Sequence, residues 1–446
     1  MIADLVIKNC VLVNEQTRSE VDIAIKDSRI EKIASSISCE AKQEIDSQGN
    51  IIIPGVIDDQ VHFREPGLTH KGSIHTETLA ALAGGTTSFF EMPNVSPPTT
   101  NLENLKDKFS LGASKSHANY SFYFGASNTN IEEIKKLGKN DASGIKIFMG
   151  SSTGDMLVDD EEVLEQIFAH AAVPIVTHCE DTPMISALEE KYKREYGEEV
   201  PPAMHALIRS REACLKSSSF AVDLAKRHGS QLHILHLTTE DEIALLSNLP
   251  IDKKNITAEA CVHHLFYSEA DYEELGHQIK CNPSIKSETD RQALLKALKD
   301  GAIDIIATDH APHTWEEKQN SYFNAPSGLP LVQHTLNLLM ELSHQGYFSL
   351  EEIVQKTSHN IAERFKIKDR GYIREGYYAD LVEVNPNQTI TVNKDDLYYL
   401  CGWSPLENKT LHGVVSRTYL NGCLVCTDGR VIDPAPMGMK LEFNRY

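Results

Sequence analysis

Eight short apolar runs spread through the middle of the chain, most of them closing on a polar or charged residue, constrain the fold more than any other feature. They are Ile51 to Ile57, Thr86 to Met92, Tyr120 to Gly125, Ile145 to Met149, Pro174 to His178, Leu232 to Leu237, Ile256 to Val262 and Ile303 to Thr308. Stretches that suit helices, such as Glu77 to Ala83 and Asp290 to Ala302, separate them. Eight strand-helix units between residues 53 and 370 point to a (β/α)8 barrel, a fold of about 250 residues and more with insertions. A doubly wound open sheet is the competing arrangement.

The two ends of the chain read differently. Residues 1–52 alternate apolar and polar positions in short strands, and residues 371–446 repeat the pattern, with an Asn421-Gly422 hairpin turn before Cys423-Leu424-Val425. The expectation is one composite β-sandwich domain built by both termini, with residues 53–370 as a separate barrel.

Charge narrows the partners. The 446 residues carry 43 Lys plus Arg against 64 Asp plus Glu, a net charge of -21, and no basic patch interrupts the acidic balance. A polyphosphate backbone is repelled by such a surface, so nucleic acid is not the expected partner. Nine cysteines, scattered along the chain with a single Cys-x-x-Cys spacing at Cys423-Leu424-Val425-Cys426, suit reduced thiols, and neither a signal sequence nor a membrane-length apolar run is present, so a soluble, cytoplasmic protein is expected.

In a barrel, functional side chains gather at the C-terminal ends of the strands. Collecting the polar residues there gives His62 and Arg64, Asn94, Lys146, His178, His236, Asp309 and His313. Alternate strand residues share a face, so Asp58, Gln60, His62 and Arg64 point one way if the strand continues that far. By the same parity Lys146 faces opposite to Ile145 and Ile147. Imidazoles and a carboxylate are ordinary zinc ligands. An inward lysine, its pKa lowered by desolvation, can add a bridging ligand by taking up carbon dioxide as a carbamate. His233, His263 and His264 read as core or supporting histidines. The polar loop Ser151 to Asp160 follows Lys146 and is read as a connection able to cover the site, and Glu189 to Pro202 as a solvated insertion.

The motifs Val61-His62-Phe63-Arg64-Glu65-Pro66-Gly67, Glu91-Met92-Pro93-Asn94, Gly144-Ile145-Lys146-Ile147-Phe148, Thr177-His178-Cys179-Glu180-Asp181, Leu235-His236-Leu237, Cys281-Asn282-Pro283 and Ala307-Thr308-Asp309-His310-Ala311-Pro312-His313 together resemble the dihydroorotases of the amidohydrolase superfamily. The resemblance covers essentially the whole chain. It implies reversible cyclisation of N-carbamoyl-L-aspartate to L-dihydroorotate in pyrimidine biosynthesis. It also implies a zinc pair bridged by N6-carboxylated Lys146 and a hydroxide, with His178 and His236 on one metal and His62 and Asp309 on the other. Asp309 would shuttle the proton; His62, Arg64, Asn94, Asn282, His313 and the Ser327-Gly328 backbone would hold the substrate. A homodimer and an association with aspartate transcarbamoylase are the partner states left open. An allantoinase or dihydropyrimidinase activity, and a catalytically silent scaffold for aspartate transcarbamoylase, are the alternatives.

One position departs from the pattern. The family's first-strand motif is usually His-x-His, and here it is Gln60-Val61-His62. An amide oxygen is a weaker zinc ligand than imidazole. One zinc is therefore expected to bind tightly at Lys146, His178 and His236, and a second more weakly.

Overall fold

The computed structural model describes residues 2–150, 156–432 and 438–445. Its centre is a closed barrel of eight parallel strands. The strands are Val56–Val61, Thr86–Glu91, Asn119–Phe122 with Phe124–Gly125, Ile145–Phe148, Ile175–His178, Leu232–Ile234, Ile256–Cys261 and Ile305–Ala307. Neighbours pair in parallel around the ring. The seam between first and last strands closes through the Val61–His310 bridge, where the His62 N–H donates to the His310 carbonyl at 2.7 Å. The open-sheet alternative is thereby excluded.

Local sequence sets the helix ends. Ser73 caps the helix Ile74–Ala83 in a reciprocal capping box with Thr76, and Ser287 caps Glu288–Asp300, which ends at left-handed Gly301. Helices cover the outside of the barrel, so strand residues facing them are apolar. Ile145 and Ile147 belong to the main core with Ile167 and Ile175, and Lys146 between them faces the interior.

Both termini build the second layer. Ile2–Asn14 pairs antiparallel with Thr17–Lys26 and parallel with Ile51–Pro54, which pairs antiparallel with Leu381–Thr391. Thr410–Leu420 and Cys423–Thr427 continue that sheet, turning at Asn421-Gly422, where both φ angles are positive. The architecture is a barrel with a β-sandwich from N- and C-terminal strands.

Three details differ from the sequence reading. The run Ile51 to Ile57 is two strands, not one. Ile51–Pro54 belongs to the terminal sheet and Val56–Val61 to the barrel, and they part at Gly55, where a Cβ would meet Thr87 Oγ1 at 2.1 Å. Residues 438–445 do not lie in the sandwich. Lys440 bridges to Tyr120, and Leu441 and Phe443 bury against Phe90 and Phe365 at the barrel's closed end. The expected solvated insertion begins inside the helix Thr182–Tyr196, which buries Ile185 and Tyr192. Of the covering loop, residues 151–155 lie outside the described residues. Among those described, no helix is long and apolar enough to cross a membrane, and no disulfide joins the cysteines.

Candidate active site

Strand ends and the loops beyond them converge on one cavity of about 250 Å³. Its wall contains Gln60, His62, Arg64, Asn94, Lys146, His178, His236, Asn282, Asp309, His313, Ser327 and Gly328. Every site residue expected from sequence is therefore brought to one place. Phe148, Ala311 and Pro326 complete the lining.

The strand-parity argument reaches His62 but not Arg64. Regular strand geometry stops at Val61, and Arg64 enters the cavity from a left-handed conformation at φ +70°. His236 and Asp309 also have positive φ, +36° and +48°. Such backbone costs on the order of 1–3 kcal/mol per residue and persists where the surroundings fix it. Three of these residues share one cavity, so the strain is concentrated where side chains must be aimed.

Two imidazoles meet first. His178 Nδ1 lies 3.0 Å from His236 Nε2, and His178 Nε2 lies 2.7 Å from Glu180 Oε2. A carboxylate accepts, so the His178 proton sits on Nε2 and its Nδ1 lone pair points at His236. Arg209 holds Glu180 from behind, its Nε donating to Oε1 at 2.9 Å and a terminal nitrogen donating to Oε2. Burial raises the Glu180 carboxyl, but Arg209 and His178 outweigh that and keep it ionised, below the usual range. Burial keeps both histidines below their ordinary value, hence neutral and able to coordinate. This is the arrangement in which a carboxylate orients a metal-binding imidazole.

Lys146 is 1% exposed with its ammonium 4.4 Å from the Phe148 ring centroid. Burial lowers its pKa to about 8, so an appreciable share is neutral amine near neutral pH. Opposite, Asp309 Oδ1 lies 3.1 Å from His62 Nε2 and 3.1 Å from the Gln60 amide nitrogen. Burial pushes the Asp309 carboxyl up; the bond from His62 and nearby positive charge overcome this, and the group stays below its ordinary value. Gln60 therefore donates to Asp309 where an imidazole would offer a lone pair. Two neutral imidazoles converging beside a third, a carboxylate and an amine make a donor set that fits a divalent cation.

On the other wall Arg64 is 6% exposed, its Nε donating to Pro312 O at 3.0 Å and its NH2 3.0 Å from His313 Nε2. Burial lowers the guanidinium to about 10, which leaves it charged at neutral pH. Asn94 Oδ1 is buried without a hydrogen-bond partner among the described residues. Gly328 sits at φ +134°, where a Cβ would meet Ala311 O at 2.5 Å, so the close approach of its backbone requires glycine.

Some supporting residues escaped the sequence reading. Glu180 follows His178 by two at a strand exit, a visible same-face spacing, but Arg209 comes from 29 residues further on. Asp59, His233 and Glu259 form a fully buried cluster, as do Cys261, His263 and His264. Glu259 accepts the His236 N–H at 3.1 Å and so supports the left-handed turn there. The three histidines thus lie in the core, as expected.

The Glu180 geometry carries a prediction. Replacing Glu180 with glutamine frees the His178 tautomer, and metal affinity is expected to fall about 10- to 100-fold. Competition titration with a zinc-binding dye measures it; unchanged affinity would remove Glu180 from the site.

Comparison with known proteins agrees with this geometry. Residues 51–425 match the Amidohydrolase family. The chain is 30% identical over 433 residues to a dihydroorotase of Methanosphaera stadtmanae, covering 96% of this chain and 98% of that one. It is equally 30% identical over 452 residues to an allantoinase of Desulfitobacterium hafniense, covering 98% of each. Among solved structures, the L-hydantoinase (dihydropyrimidinase) from Arthrobacter aurescens superposes with a TM-score of 0.93 at 26% identity, over 99% of this chain and 100% of that one. The chain belongs to the amidohydrolase family, as a metal-dependent cyclic amidohydrolase.

Proposed function

We propose that the protein is a dihydroorotase, closing N-carbamoyl-L-aspartate to L-dihydroorotate and opening the ring in reverse. One observation carries the choice of substrate: the buried Arg64 guanidinium in the wall of a cavity sized for one small ring. A buried cation needs an anionic partner, and the ring carboxylate of dihydroorotate supplies one with two charge-assisted hydrogen bonds. Allantoin and the simple hydantoins carry no such group. Asn94, with its unpaired carbonyl oxygen, offers an acceptor to a ring N–H.

Lys146 as its carbamate, His178 and His236 would hold one zinc tightly, and His62 with Asp309 a second more weakly, because Gln60 is engaged with Asp309. When bound, the metal polarises the scissile carbonyl and acidifies water. Asp309 takes a proton from the attacking water and returns it to the ring nitrogen as the C–N bond breaks. Ring closure joins a carboxylate and a ureido nitrogen with uptake of one proton and loss of water, so it is favoured as pH falls. Asn282 and the Ser327-Gly328 backbone border the same cavity and would hold the polar edge of the ring.

The test is turnover of L-dihydroorotate, allantoin and 5-substituted hydantoins by zinc-loaded protein, with the ring's absorbance followed. Dihydroorotate should exceed the others in kcat/KM by at least 100-fold. Preference for allantoin would make the protein an allantoinase, and absence of turnover on every ring would make it a silent scaffold.

A further inference from the structure

A lysine outside the cavity lining sits behind His313. Lys71 lies in the loop after the first barrel strand, its Nζ 3.1 Å from His313 Nδ1 and 3.0 Å from Glu317 Oε1. His313 is 7% exposed and meets three groups on its two ring nitrogens. Lys71 faces Nδ1, while the Ser327 carbonyl and the Arg64 NH2 each lie 3.0 Å from Nε2.

These contacts cannot all be hydrogen bonds in one tautomer. Ammonium and guanidinium only donate, and a carbonyl only accepts. With the proton on Nε2, the ring accepts from Lys71 and donates to Ser327, satisfying two contacts and leaving only its N–H set against the Arg64 guanidinium. With the proton on Nδ1, the ring accepts from Arg64 alone, sets an N–H against the Lys71 ammonium and leaves Ser327 without its donor. Glu317 Oε2, at 3.7 Å from Nδ1, is outside hydrogen-bond range and does not compensate while Lys71 holds its partner oxygen. Burial, with the adjacent Arg64 charge, keeps the ring neutral, so a tautomer must be chosen.

We propose that Lys71 fixes His313 as the Nε2–H tautomer and thereby denies the Arg64 terminal nitrogen the acceptor this ring would offer, keeping its terminal N–H groups available for the substrate carboxylate while Nε stays on the Pro312 carbonyl. Without Lys71 the ring turns its lone pair to Arg64, and the guanidinium becomes tied to its own pocket. Lys71 is a positioning residue that acts through His313. Its consequence for substrate rests on the dihydroorotase reading; its effect on the tautomer does not.

The experiment uses zinc-loaded protein labelled with 15N-histidine, the His313 resonances assigned by their loss in His313→Gln. Wild type should show His313 as Nε2–H, and Lys71→Met should move it to Nδ1–H. In parallel, Lys71→Met should raise KM for L-dihydroorotate about tenfold with kcat changed less than threefold, and Lys71→Arg, which restores a donor, should recover most of that loss. An Nδ1–H tautomer in wild type, or an unchanged tautomer in Lys71→Met, overturns the proposal; the first needs no variant to fold. Failure of wild type to open dihydroorotate would overturn the substrate assignment instead, and the tautomer would still report on Lys71.

Discussion

Asp309→Asn is expected to lower kcat for dihydroorotate opening about 100- to 10,000-fold, with KM changed only a few-fold. The span is that of a positioned general acid-base group. Asparagine keeps the shape and can still meet Gln60 and His62, which lie 3.1 Å from the carboxylate, but it cannot take a proton. Steady-state kinetics measure the effect, with the metal content of the variant recorded alongside, because Asp309 is also assigned to the weaker metal. Retained metal with lost turnover locates the loss in proton transfer. Unchanged kcat would mean another group carries the proton.

Arg64→Met is expected to reduce kcat/KM for dihydroorotate about 30- to 4,000-fold. Removing one partner of a buried, hydrogen-bonded charge pair costs about 2–5 kcal/mol, and each 1.4 kcal/mol is a factor of ten. Methionine fills much of the space, so cavity collapse is not the expected cause. The loss should fall mainly on KM, since the carboxylate is gripped in ground and transition states alike. Substrates without a carboxylate should lose far less. Equal losses on carboxylated and uncarboxylated rings would show that Arg64 supports the wall and does not read the substrate.

Much of this site is legible in the sequence, because a barrel converts sequence order into spatial convergence. A polar residue ending an apolar run has few places to go except the rim. That logic gathers His178, His236 and Asp309, while Lys146 lies inside its run and parity alone turns it inward. It failed where the backbone left regular geometry. Arg64 reaches the cavity from a left-handed turn, which alternation cannot describe. The run Ile51 to Ile57 looked continuous because both halves are apolar, although Pro54-Gly55 in its middle was the break. Arg209 and Lys71 act through long side chains on partners 29 and 242 residues away, and no local spacing announces them. Leu441 and Phe443 carried an alternating apolar signal that suits a strand in the sandwich as well as a plug for the barrel's closed end.

The central claim is that the cation sits where His178 and His236 converge, with Lys146 completing the set. Anomalous X-ray scattering at the zinc edge, from crystals grown with bicarbonate and zinc, tests it most directly. The strongest peak should lie between His178 Nδ1 and His236 Nε2, with carbamate density continuing from Lys146 Nζ and a weaker peak beside His62 and Asp309. A strongest peak instead at Asp59, His233 and Glu259, or at Cys261, His263 and His264, with Lys146 unmodified, would contradict the account.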